Sequence, residues 1–108
     1  METRCERQGA DFLISMTGSM TFREYQASEG LFGRIAEALT GDSATVAKSI
    51  IFDLTAVDMI DSHWLGIFVR VLKRAEEAGA KVVLRHPRPA VSRLFDLVQF
   101  GRVFHIEA

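Results

Sequence analysis

Short apolar runs alternate with stretches of helical spacing along this chain, and that alternation limits its fold more than any other feature. Asp11-Phe12-Leu13-Ile14-Ser15-Met16 reads as a strand closed by Thr17-Gly18-Ser19. Phe22, Tyr25, Leu31, Phe32, Ile35, Ala36 and Leu39 then recur at approximately helical intervals, with Gly30 and Gly33 weakening that helix and Gly41 beyond it. Ser49-Ile50-Ile51-Phe52-Asp53-Leu54 is a continuous apolar run of the kind covered on both faces of a sheet. A regular helix is expected over Ser62–Ala78, stopped by Gly79, and a buried strand over Lys81–Arg85. Pro89 suits the first turn of a short helix that reaches about Gln99, and Val103–Ile106 makes a last strand. Strand and helix in alternation predict a single α/β domain: a small mixed, mainly parallel sheet covered by α-helices, with right-handed crossovers.

A chain of 108 residues has room for one core of ordinary size. It buries roughly 65% of its unfolded surface without needing a staple. With 48% hydrophobic and 25% charged residues it is neither a disordered segment nor a low-complexity tract. Thirteen basic against fourteen acidic side chains leave a net charge of −1, which argues against bulk attraction to nucleic acid or to an anionic membrane. No apolar run is long enough for a spanning helix, so no membrane insertion is expected. The single Cys5 cannot close an internal disulfide and the polar start does not resemble a signal peptide, so the expected compartment is the cytoplasm. The whole chain, 1–108, reads as one domain, with residues 1–9 as a flexible N-terminal segment.

Catalytic constellations are absent. No G-x-G-x-x-G, G-x-x-x-x-G-K-[ST], H-E-x-x-H or G-x-S-x-G motif occurs. His63, His86 and His105 lack ligand spacing, so neither a metal nor another cofactor is expected. Ser62 and His63 are adjacent, which on a helix turns them about 100° apart and unsuits them as nucleophile and base. Asp53 and Asp58 fit capping or solvated roles better than a pair of catalytic acids. Arg85, His86, Arg88 and Arg93 form a basic cluster without interleaved aromatics, read here as surface charge rather than a nucleic-acid site.

The informative stretch is Asp58-Met59-Ile60-Asp61-Ser62-His63-Trp64-Leu65-Gly66. Asp61-Ser62 stands directly before a periodic apolar run, the mark of a helix N-terminus, where either residue can cap. Leu65, Phe68, Val69 and Leu72 fall at i, i+3, i+4 and i+7 and are expected to pack on the sheet. Ser62, Gly66, Arg70 and Lys73 form a second stripe. Glycine inside such a helix costs about 1 kcal/mol relative to alanine, so Gly66 serves either close approach by a partner or close packing on the sheet. Trp64 is read both ways, as an interface anchor or as core.

Asp61-Ser62-x-x-Leu65-Gly66 after the strand Ile50–Leu54, with Ala80–Leu84, Arg88–Leu97 and Phe104–Glu107 as closing strand, helix and strand, resembles the STAS domain of bacterial anti-sigma factor antagonists. The resemblance implies a non-enzymatic protein-binding module in transcription control by partner switching. It implies Ser62 as a phosphoserine acceptor, modified by a partner that is both serine protein kinase and anti-sigma factor and restored by a metal-dependent, PP2C-type phosphatase. The partner-binding surface expected from it comprises Asp61, Ser62, His63, Trp64, Gly66 and Arg70. His63 and Trp64 stand where the family more often has small residues. Two other readings stay open: a non-switching subunit of a lipid-transport ABC complex, in which Ser62 only caps, and a small nucleotide-binding or hydrolytic enzyme.

Overall fold

The computed structural model describes residues 2–21, 25–41 and 45–108, and for residues 25–28 the backbone alone. Its elements are β1 (Glu2–Gln8), β2 (Asp11–Met20), α1 (Tyr25–Ala38), β3 (Ser49–Ile60), α2 (Ser62–Glu77), β4 (Lys81–Arg85), α3 (Pro89–Leu97), a 3-10 turn at Phe100–Arg102, and β5 (His105–Glu107). The strands lie in the order β1-β2-β3-β4-β5, with β1 antiparallel to β2 and every later neighbour parallel. Each parallel step moves the same way across the sheet, so right-handed crossovers put all three helices on one face. Phe22, expected in the first helix, lies outside the described residues, as do residues 42–44 of the connection that follows.

The helices lie on one face, yet the apolar run of β3 is buried on both, as its sequence predicts: Ile50 and Phe52 are 0% exposed on the helix side and Ile51 6% on the other. Ile14, Met16, Ile50, Phe52, Leu54, Val82 and Leu84 point to the helices and join one core with Leu31, Ile35, Phe68, Val71, Val91 and Phe95. Phe52, Phe68, Phe95, Phe100 and Phe104 form a chain of ring contacts from β3 through α2 and α3 to the 3-10 turn. Centroid spacings of 4.6–6.2 Å fall in the range where offset and edge-to-face rings attract. The reverse face carries a shorter apolar row, in which register places Leu13 beside Ile51 and Ile51 beside Val83, with Glu6 and His105 at its ends.

β3 is twice the length read from the sequence, and two bulges hide its second half. Its partner β2 has 10 residues where β3 has 12, and the register slips between Ser15 and Thr17 and again between Gly18 and Ser19. Each slip adds one residue to β3, so its buried positions run Ile50, Phe52, Leu54, then Val57 and Ile60. A spacing of three is not a strand period, and Thr55–Ile60 therefore reads as loop in the sequence. The first bulge has its own polar support. The Asp53 carboxylate accepts from the Thr55 backbone N–H at 3.0 Å and from its hydroxyl at 2.7 Å. Arg88 Nε donates to the Thr55 carbonyl at 2.8 Å while its guanidinium pairs with Asp58 at 2.6 Å.

The N-terminal reading is also corrected. Residues 2–8, expected to be a flexible segment, pair in full with β2, from Glu2 opposite Thr17 to Gln8 opposite Asp11. Their alternating charge hides the strand, because only Cys5 contributes to the core. At the other end α3 stops at Leu97 rather than Gln99, which takes a left-handed backbone conformation (φ 59°), and the last strand starts at His105.

Candidate functional site at the head of helix α2

Helix α2 starts where the sequence placed it, and its first turn is held from three sides. Asp61 is the N-cap: its backbone is extended and its Oδ1 accepts from Trp64 N at 3.3 Å. The Asp61 N–H donates to Met20 O at 3.0 Å, and the Trp64 indole Nε1 donates to Thr21 O at 3.1 Å. The end of β2 thus fixes both the cap and the first large side chain of the helix. At the far end Gly79 N donates to Glu76 O and Ala80 N to Ala75 O, a closure that needs the positive φ of 74° that Gly79 adopts.

The buried stripe of α2 is Trp64, Ile67, Phe68, Val71 and Ala75, not the expected Leu65, Phe68, Val69 and Leu72. Leu65, Val69 and Leu72 lie at the flank and are half-buried against the core. The helix is rotated because Trp64, with its larger apolar area, takes the central seat beneath the head. Trp64 is 0% exposed, with His63 edge-on to its ring at 6.1 Å and Phe68 behind it at 6.5 Å. Its expected place in a partner-binding surface is therefore corrected: the indole is core, and its N–H is satisfied inside the fold.

What faces solvent is the second stripe. Ser62, Gly66, Arg70 and Lys73 are all exposed, one above the other along α2. Ser62 is the first residue of the helix and its side chain is open to solvent. A Cβ built on Gly66 would meet nothing within 4 Å, so close packing on the sheet does not account for this glycine. Arg70 is committed to α1: its guanidinium pairs with Glu29 at 2.8 Å and lies over the Phe32 ring at 4.3 Å from the centroid. The hydrogen bond and charge of Arg70 hold the Glu29 carboxyl below its ordinary range, with a smaller contribution from His63. His63 is half-buried beside this clasp.

The other polar candidates resolve into scaffolding. Burial pushes the Asp53 carboxyl up, but the two Thr55 hydrogen bonds and the nearby His86 and Arg85 charges together bring it below its usual value. Arg85 pairs with Glu107 at 2.9 Å, His86 Nδ1 lies 2.7 Å from the Ala108 carbonyl, and Arg88 holds Asp58. Among the described residues no group of three or more His, Cys, Asp or Glu is arranged to hold a metal ion, and no helix is long and apolar enough to cross a membrane. Sequence reasoning missed Thr21, Glu29 and Phe32, which support the site from 41 to 43 positions away in the cases of Arg70–Glu29 and Trp64–Thr21. No local pattern carries such pairings.

The family model for the STAS domain matches residues 3–108. The chain belongs to the STAS domain family. Solved structures agree on the fold. A crystal structure from Thermotoga maritima described as a putative anti-sigma factor antagonist superposes with a TM-score of 0.83 at 19% identity, covering 98% of this chain and 86% of that one. The anti-sigma factor antagonist SpoIIAA in its unphosphorylated form gives 0.79 at 18% identity, covering 99% and 89%. The phosphorylated form of SpoIIAA from Bacillus gives 0.74 at 17% identity, covering 99% and 92%.

Proposed function

We propose that this STAS domain is a phosphorylation-controlled protein-binding module of the anti-sigma factor antagonist type, without catalytic activity of its own, working in the bacterial cytoplasm. It binds a serine protein kinase that doubles as an anti-sigma factor while Ser62 is unmodified, and releases it once Ser62 is phosphorylated. A PP2C-type phosphatase resets it. The observation that carries this reading is the open Ser62 hydroxyl at the head of a rigidly seated helix, one turn below a glycine that leaves its surface bare. That SpoIIAA exists in phosphorylated and unphosphorylated forms within the same fold supports it.

The chemistry of such a switch follows from position. A phosphate brings about −1.5 to −2 charges at neutral pH. At a helix N-terminus the positive end of the dipole favours that charge, and the exposed position of Ser62 leaves room for it, so the fold tolerates it. A protein docked over Ser62 and Gly66 does not: it meets added bulk, a hydration shell and repulsion from its own carboxylates. A loss of about 2.7 kcal/mol in complementarity weakens binding a hundredfold. The docking surface is then Asp61, Ser62, His63 and Gly66, with Arg70 at its upper edge as a charge already shared with Glu29.

The test is mass spectrometry of the Ser62 peptide from protein isolated from its own cells, joined to affinity capture of partners. A gain of about 80 Da, the mass of a phosphoryl group, is expected on Ser62 and absent from Ser62→Ala. Unmodified protein should capture a serine kinase of the anti-sigma type, and Ser62→Glu should not. A Ser62→Ala chain that still gains the phosphoryl group would overturn the assignment. Capture of a transporter ATPase would instead support the lipid-transport reading, with Ser62 unmodified.

A further inference from the structure

The N-terminal strand carries a charge sequence that is complementary to itself. β1 is an edge strand, with one side paired to β2 and the other side facing away from the sheet. Its side chains alternate between the two faces. Glu2, Arg4, Glu6 and Gln8 lie on the reverse face with Ser15 and Leu13, whereas Thr3, Cys5 and Arg7 lie on the helix side, Cys5 opposite Ile14. Two copies of such an edge can join antiparallel about a two-fold axis normal to the sheet. That symmetry keeps each face on its own side, so a residue can stand opposite only residues of its own face.

Few registers satisfy this condition, and charge separates them. Centring the pair on Arg4 places Arg4 against Arg4 and Glu2 against Glu6, so every charged residue it joins meets its like. Centring it on Glu6 places Glu6 against Glu6. Centring it on Thr3 gives one favourable kind of pair but joins only residues 2–4. Centring it on Cys5 pairs all 7 residues of the strand. Arg4 then faces Glu6 and Glu6 faces Arg4, Thr3 faces Arg7, and Glu2 faces Gln8. Opposite charges across antiparallel strands attract, and like charges placed there repel. Within one chain the Gln8 amide already donates to the Glu6 carboxylate, which holds it in line on the reverse face.

We propose that β1 is a self-pairing edge, joining two copies of this chain antiparallel about Cys5 into one continuous sheet, with Arg4 of each copy against Glu6 of the other. The charged edge that deters other strands admits this one. A contact of one short strand is smaller than the roughly 1,200 Å² of a standard interface, so the dimer is a concentration-dependent one. The arrangement sets the two Cys5 residues directly opposite, with Cα atoms about 4.5–5.5 Å apart, inside the span of about 4.4–6.8 Å that a disulfide bridges. Burial pushes the Cys5 thiol up, against a smaller pull from Arg34, so bridging calls for an added oxidant and mildly alkaline solution.

The proposal is tested on the full chain by sedimentation equilibrium up to about millimolar concentration, together with diamide treatment, diamide taking up the two electrons and two protons that the thiols release. Arg4→Glu alone and Glu6→Arg alone should each weaken the dimer tenfold or more, with unchanged melting curves. The double exchange, Arg4→Glu with Glu6→Arg, should restore it to within about threefold and restore the Cys5 cross-link. A chain that stays monomeric overturns the proposal, as does a double exchange that fails to rescue. A dimer indifferent to both single exchanges also overturns it and moves the interface elsewhere, for example to the exposed Leu97 and Val103.

Discussion

The two sides of helix α2 follow different rules. On the inner side each residue is accounted for by what it touches: Trp64 sits under the helix head with its N–H on Thr21, Phe68 meets Phe52 and Phe95, and Ala75 is small where the helix meets the sheet. On the outer side Ser62, Gly66 and Lys73 are exposed along the same helix, and only Arg70 is explained by a contact within the chain. A glycine at an open helical position costs about 1 kcal/mol with no packing gain in return. The contrast locates the residues that intramolecular physics does not require, and these are the residues a partner would use.

The largest effect should come from the inner side. Trp64→Ala should cost about 3–5 kcal/mol, seen as a large fall in melting temperature, because it empties a fully buried seat. A variant that melted normally yet lost its partner would reverse the assignment of Trp64 to the core. Next is the cap: Asp61→Ala should cost about 0.5–2 kcal/mol, whereas Ser62→Ala should leave stability nearly unchanged, since Asp61 and not Ser62 accepts from Trp64 N. Equal losses in chemical denaturation would erase the division of labour between them. Gly66→Ala should stabilise the fold by roughly 0.5–1 kcal/mol while weakening partner capture. Gain of stability with full binding would remove Gly66 from the docking surface.

The smallest effect concerns pH. The folded Glu29 carboxyl is held below its ordinary value by Arg70, so the pair stabilises the fold above the ordinary carboxylate range and that contribution is lost as pH falls through the lowered value. Both partners are exposed, so the effect should be small and fade with added salt. Thermal melts of Glu29→Gln should show a shallower loss of stability on acidification than the parent chain. An identical acid profile would mean that the clasp of Arg70 rests on Phe32 alone.

Much of this was legible in the sequence, and what was not has physical causes. The parallel βα units, the start of α2 at Ser62 and the stop at Gly79 follow from periodicity, capping chemistry and glycine's backbone freedom. The far half of β3 was hidden because two bulges break the alternation on which strand reading depends. β1 was hidden because an edge strand with a single residue, Cys5, packed against the core has almost no apolar pattern. The rotation of α2 depended on which side chain won the central seat, and Trp64 against Leu65 is a packing contest that spacing alone does not decide. At the site, the Ser62–Gly66–Arg70 stripe was readable from helical geometry, while the commitment of Arg70 to Glu29 and Phe32 required the tertiary fold.

The cap at Asp61 has a consequence for whatever is added next door. Its carboxylate already occupies the berth offered by the Trp64 amide. A phosphoryl group on Ser62 would find that berth taken by a neighbour of its own sign and would be turned outward, like a flag on a mast whose foot is already stepped.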